Sequence, residues 1–239
     1  MLTRSQVTSE GANTTLSEPE PAVPTSAPEP ALAQTEGFSE VTEEPDAPAN
    51  WFLQGTNAGS YKLRLSREMV FAGAASAVLI ASERADPSRF GSITQAVSAE
   101  AFRGKRLELT AQMATEEAHV GSALWVRADD QHGTMVAFEN AHARGPRGSQ
   151  SWTSQRIVID IPDTAAALLF GAVLRGAGKL YLDQVALRVV DSSVPLTAKP
   201  TTNLSGVTNR APDLERIPPE PLNLGFEIAA QADGAPSPP

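Results

Sequence analysis

The sequence predicts an all-β fold, an antiparallel two-sheet jelly-roll sandwich with disordered flanking tails. Three observations lead there. From Trp51 onward apolar residues recur at every second position, the period of a half-buried strand. Turn formers such as ADPS, RGK, DDQHG, ARGPRG, IPDT and RGAG interrupt that alternation at short intervals. Prolines crowd the two ends, with seven in 1–50 and nine in 192–239 against three in 51–191, so the middle carries the fold.

The strands follow in order. YKLRLS, ASAVLIAS and SITQAVS are short apolar-rich runs between turns. KRLELTAQM places Leu107, Leu109, Ala111 and Met113 on one face and Arg106, Glu108, Thr110 and Gln112 on the other. In SALWVRADD, Leu124, Val126 and Ala128 point one way, and Trp125, Arg127 and Asp129 the other. TMVAFEN follows. RIVIDIP sets Ile157, Ile159 and Ile161 against Arg156, Val158 and Asp160. AALLFGAVL and KLYLDQVALRVV complete the set. Nine or so strands with no long helical pattern give a sandwich rather than an α/β fold.

Both ends are linker-like. Residues 1–36 are rich in Pro, Glu, Ser, Thr and Ala and bury too little apolar surface to order themselves, so a disordered acidic linker is expected. Residues 192–220 read as a second, Pro-rich linker. Of the net charge of −9, residues 1–50 contribute 1 − 9 = −8 and residues 192–239 contribute 3 − 5 = −2, which leaves the middle at +1. The acidity belongs to the tails and serves solubility. No basic tract supports phosphate contacts, so nucleic acid is not an expected partner. No run is long and apolar enough for a membrane span, and the first fifteen residues lack a secretory apolar stretch. The chain reads as soluble, with its compartment undetermined.

Catalytic patterns are missing. Without cysteine, thiol catalysis, disulfides and thiolate metal sites are excluded. His119, His132 and His142 show no ligand spacing, and no serine lies in G-x-S-x-G. Glu139, Asp129 and Asp160 supply carboxylates that nothing pairs for glycoside chemistry. The chain is read as no enzyme.

GSITQAVSAEAFRGKRLEL, GSALWVRADD, MVAFENAHARGPRGSQSW and IVIDIPDTAAALLFGAVLRGAGKLYLDQVAL, in that order, resemble the carbohydrate-binding-module-like jelly roll of galactose-binding type over 37–191. Bacteria append similar domains to AraC-type regulators, C-terminal-processing-type serine peptidases and erythromycin-esterase-like proteins. The resemblance implies a non-catalytic accessory module that binds carbohydrate or positions a partner domain. The competing class is a structural or protein–protein interaction module with no small-molecule site.

Sugar modules stack an aromatic ring on a sugar face while planar polar groups take the hydroxyls. Trp125 with Arg127, Asn140 and Arg144 forms such a cluster if MVAFEN lies alongside; Trp152 and Tyr181 are weaker candidates. The alternative is packing of the indole under a covering guanidinium. Exposure of Trp125 and Arg127 favours the sugar reading, and burial of both the structural one. The resemblance also implies a structural calcium held by Asp183 and the opening-strand glutamate, here Glu40, with backbone carbonyls. A plain hydrogen-bonding role is the other reading of Asp183.

Such domains open with N-L-x-F-E and a later Trp. EGFSEVTEEPDAPANWFLQG fills that place in part, with Phe38 and Trp51 but with Glu40 one position out; PLNLGFE near the C-terminus fits better. Residues 221–239 are therefore expected to begin an incomplete second repeat. An apolar patch in a tail and a strand folded back onto the sandwich edge are the alternatives.

Overall fold

The computed structural model describes residues 46–83, 85–198 and 213–230; the expected linker 1–36, Phe38 and Glu40 lie outside them. Ten strands follow one another: β1 (Phe52–Gln54), β2 (Tyr61–Ser66), β3 (Ser76–Ala81), β4 (Phe90–Ser98), β5 (Arg106–Ala118), β6 (Gly121–Asp129), β7 (Met135–Asn140), β8 (Gly148–Asp160), β9 (Ala167–Arg175) and β10 (Lys179–Val190). Among the described residues the helical elements are two single 3-10 turns, at Ala58–Ser60 and Glu100–Phe102. The strands form two five-stranded antiparallel sheets, β1-β4-β9-β6-β7 and β2-β3-β10-β5-β8.

Alternation within each strand decides what lies between the sheets. Leu124 and Val126 of β6, Phe170 and Leu174 of β9, Leu107 and Leu109 of β5, and Leu79 of β3 are fully buried in one shared core. Each such side chain contributes about 1.5–3 kcal/mol when withdrawn from water. The odd-numbered residues of β6 and β9 form a separate cluster on the first sheet's outer face, where Trp125 meets Leu169 and Val173. The second sheet's outer face has its own small cluster of Val78, Ala114 and Tyr181, with Met69, Ile80 and Trp152 packed against it.

Two edges are closed by segments that the composition marks as linker. On the free edge of β8, Val158 donates its N–H to Thr197 Oγ1 (2.7 Å) and accepts from the Thr197 N–H (3.1 Å). At that point the edge is closed to another strand. On the first sheet β1 pairs only with Ser92–Thr94 of β4. Farther along β4, the Ser98 N–H reaches Pro218 O (2.9 Å) and Gln95 takes both backbone groups of Leu222.

The NLGFE stretch lies against this same sandwich. Phe226 is fully buried and belongs to the main core, its ring 4.8 Å from that of Trp51. The reason is local to β10. Its register shifts between Asp183 and Ala186 with Gln184 in the left-handed region (φ 47°), and the freed Val185 N–H bonds to Leu224 O at 3.0 Å. Pro48 and Ala229 form an isolated antiparallel bridge, which aligns the segment with the chain just before Trp51. The segment, turns and a single bridge residue rather than a strand, lies against the sandwich through these contacts.

Candidate functional site

The two outer faces hold the candidate side chains that the structure describes, Arg144 excepted, and they treat them differently. On the first sheet, register puts Trp125 of β6 opposite Gly171 of β9 and Asn140 of β7, so MVAFEN does lie alongside. Trp125 is nonetheless buried, with its indole N–H given to Ser92 Oγ at 2.9 Å. Arg127 is buried too and grips the Asp129 carboxylate with Nε at 3.2 Å and with Nη2. Asp129 Oδ1 is buried without a hydrogen-bond partner, and burial pushes its carboxyl above the usual range despite the guanidinium. Ile217, beyond the last strand, packs onto this cluster.

Arg144 is not part of that face. It reaches across to Glu139 at 2.7 Å and to the carbonyls of Arg156 and Thr197, tying the β7 end of one sheet to the β8 edge of the other. The cause is the two-residue period: Glu139 neighbours Asn140 but points to the opposite side. The expected quartet thus splits, with Trp125, Arg127 and Asn140 on one face and Arg144 turned away from it.

Trp152 lies on the second sheet, beside a different set of groups. It stands where the β5–β8 register slips between Met113 and Thr115, which leaves its large ring room over the small side chain of Ala114. The Tyr181 ring is 6.5 Å away at 66°, and Phe71, from the β2–β3 loop, is 5.8 Å away at 68° on the other side. Phe71 is 47% exposed, and Trp152 is partly so. These edge-to-face pairs form a row of three rings.

A polar group adjoins the row. Register aligns Lys179 with Glu116 and Tyr181 with Ala114. Lys179 Nζ donates to Glu116 Oε2 (2.7 Å) and Tyr181 Oη to Glu116 Oε1 (2.9 Å). Those donors, lysine first, hold the Glu116 carboxyl below its ordinary range, and Glu116 raises Lys179 in turn. Burial, chiefly, pushes the Tyr181 hydroxyl up. Glu116 and Lys179 remain about 40% exposed at the side chain. They line a cleft of about 490 Å³ together with Ile80, Ser82, Glu117 and Ser149. The hydrogen bond from Tyr181 to Glu116 and the packing of Ile80 on the aromatic cluster link the row of rings to this cleft.

Asp183 is fully buried at the far end of that face. Its Oδ2 accepts the N–H groups of Phe71 (3.0 Å) and Ala72 (3.1 Å), and Oδ1 that of Gln184 (2.7 Å). Glu227, from NLGFE, stands near enough to raise the Asp183 carboxyl, although burial is the larger cause. Glu227 itself takes the Ala74 N–H with both oxygens, at 3.1 Å. Calcium requires six to eight oxygen donors, and these carboxylates are instead filled by N–H groups of the 71–74 loop and of Gln184. Among the described residues no group of three or more His, Cys, Asp or Glu could hold a metal. The described residues do not fit the ion.

Sequence reasoning missed Phe71, Glu116 and Lys179. The alternation in KLYLD, with Lys179, Tyr181 and Asp183 against Leu180 and Leu182, carried a readable signal for one side of the face. Nothing local marks Phe71, which arrives from a loop. No helix among the described residues is long and apolar enough to cross a membrane.

No protein-family model matches the chain. It is 32% identical over 181 residues to a Bacillus subtilis (strain 168) protein named as an uncharacterized HTH-type transcriptional regulator, YbfP; the match covers 76% of this chain and 57% of that protein. Among solved structures, the enzymatically active domain of bacteriophage CBA120 tailspike protein 4 aligns with a TM-score of 0.48 at 17% identity, over 61% of this chain and 20% of that one. A xylan-binding domain from Paenibacillus barcinonensis Xyn10C aligns at 0.44 and 13%, over 64% and 92%. The C-terminal family 22 carbohydrate-binding module of Clostridium thermocellum Xyn10B aligns at 0.42 and 14%, over 62% and 89%.

Proposed function

We propose that the chain is a non-catalytic binding module that takes a carbohydrate on the outer face of its second sheet. The observation that carries this reading is the partly exposed Trp152, in ring contact with Phe71 and with Tyr181, whose hydroxyl binds Glu116 at a cleft that Lys179 also lines. A sugar ring laid on Trp152 buries its C–H face on the indole, and the carboxylate and ammonium at the cleft take hydroxyls. Trp125 is unsuited to that role, since its ring is covered and its N–H committed. The Bacillus subtilis relative is named for a helix-turn-helix, an element without a counterpart among the described strands. In such a protein the role proposed for this module is to bind a ligand rather than to read DNA.

Isothermal titration against a panel of soluble oligo- and polysaccharides tests the reading. Trp152→Ala is expected to weaken the best ligand tenfold or more, about 1.4 kcal/mol, while circular dichroism stays unchanged. Unchanged affinity in that variant sinks the assignment of the face, and no binding across the panel sinks the ligand class. The burial of Trp125 and Arg127 favours the second reading, a structural or protein-interaction module, which the failure of the panel would leave standing.

A further inference from the structure

The contacts of residues 222–230 have the character of a ligand in a built site. The walls come from separate parts of the chain: residues 47–51, Gln95 of β4, the irregular stretch of β10 and the loop at 71–74. Each reads a particular feature of the segment. Gln95 donates to Leu222 O (2.7 Å) and accepts from its N–H (2.9 Å). Trp51 Nε1 donates to Asn223 O (3.0 Å), and the Asn223 amide donates to Ala49 O (2.9 Å). Val185 N–H takes Leu224 O, Phe226 fills the core beside Trp51, and Ala74 N–H takes the Glu227 carboxylate. The left-handed φ of Gly73 (83°) favours glycine there, and a Cβ on it would displace the Glu227 carboxylate from its place. The Ala49 and Ala230 N–H groups then close the far end on Ile228 O and Ala47 O.

The segment also carries its own shape. Asn223 bonds to Ile228 through both amide atoms, from Nδ2 to O and from N to Oδ1. Two residues, Asn223 (φ 50°) and Phe226 (φ 58°), are in the left-handed region, which asparagine tolerates and a bulky aromatic seldom does. Phe226 holds that conformation only because its surroundings over-determine it. A segment that is recognised residue by residue, strained at its anchor and joined to β10 through residues beyond Val190 has what strand exchange needs.

We propose that this groove is a peptide-docking site whose occupant, the 222–230 segment, is also supplied by a second copy of the chain. In that arrangement Phe226 of one copy seats beside Trp51 of another and the same hydrogen bonds form between molecules. The specificity lies in the Asn, Phe and Glu of NLGFE and in the register that Gln95 fixes.

The cysteine-free chain makes the test clean. Asp46 and Ile228 are both exposed and flank the groove. Full-length Asp46→Cys and Ile228→Cys chains carrying donor and acceptor dyes are mixed at high concentration, in parallel with a doubly substituted, doubly labelled chain diluted into excess unlabelled protein. Exchange predicts that transfer between molecules rises as transfer within the doubly labelled chain falls, with one rate. Unlabelled Phe226→Ala or Glu227→Gln chain is expected to compete about tenfold less well, and Glu227→Gln keeps the test valid should Phe226→Ala fail to fold. Persistent intramolecular transfer overturns the proposal, whether or not molecules associate, as does equal competition by a folded Glu227→Gln chain.

Discussion

The outer faces of the two sheets start from similar materials and end as opposites. Each has a tryptophan, a basic residue and a carboxylate. On the first sheet the indole N–H is spent on Ser92, Arg127 is spent on Asp129, and Ile217 packs over the cluster. On the second the indole stays partly open, and the ion pair of Lys179 and Glu116 stands about 40% exposed at a cleft. An aromatic ring on a sheet is therefore core or platform according to what crosses over it. Residue type alone does not decide.

The largest expected effect tests the closed face. Trp125→Ala removes a buried ring and leaves Ser92 Oγ without its donor, so a loss of about 3–5 kcal/mol in denaturant unfolding is expected. The matching Trp152→Ala change is expected to cost about 1 kcal/mol, in line with a partly exposed site. Equal losses would erase the distinction between the faces.

A smaller effect tests the charges. The Asp129 carboxyl is raised by burial and the Glu116 carboxyl lowered by its donors, so titration by NMR should find them on opposite sides of ordinary carboxylates. Their contributions to stability then have opposite signs. A raised carboxyl means that the folded state holds the proton more tightly. The Asp129 contribution is therefore full below its unfolded value near 3.8 and is lost as pH rises through its folded one. Glu116 contributes above its unfolded value near 4.5 and loses that contribution as pH falls through its folded one. Asp129→Asn is thus expected to flatten the decline on the rising side, and Glu116→Gln the decline on the acid side. Both curves unchanged would show that neither face is electrostatically distinct.

The smallest effect lies at the end of the open face. Asp183 and Glu227 are satisfied by backbone N–H groups, so added calcium or a chelator is expected to move the melting temperature by less than about 1 °C. A saturable rise with calcium would show that the 71–74 loop rearranges to offer carbonyls instead.

Much of the fold was legible because a two-residue period is written into the strands themselves. SALWVRADD showed which side Trp125, Arg127 and Asp129 share, and the structure keeps them together. It could not show that Ile217 covers that side, because no periodicity links residues 92 apart; burial of the cluster is a tertiary fact. Arg144 was grouped with Trp125 by proximity in sequence, but its partner Glu139 faces the other way. Phe71 left no pattern at all, being a loop residue set in place by the Asp183 carboxylate that takes its N–H. Trp152 was legible as an aromatic, but its room over Ala114 depends on a register slip that a single strand's sequence does not announce.

Trp51 and the carbonyl that accepts its indole N–H are 172 residues apart. Synthesis proceeds from the N-terminus, so Trp51 is among the first parts of the sandwich to be made and its lid among the last. Throughout translation of all ten strands the nascent domain carries an open seam beside that ring. Closure of the seam is a late folding event, and it reports that the chain has been read through Glu227.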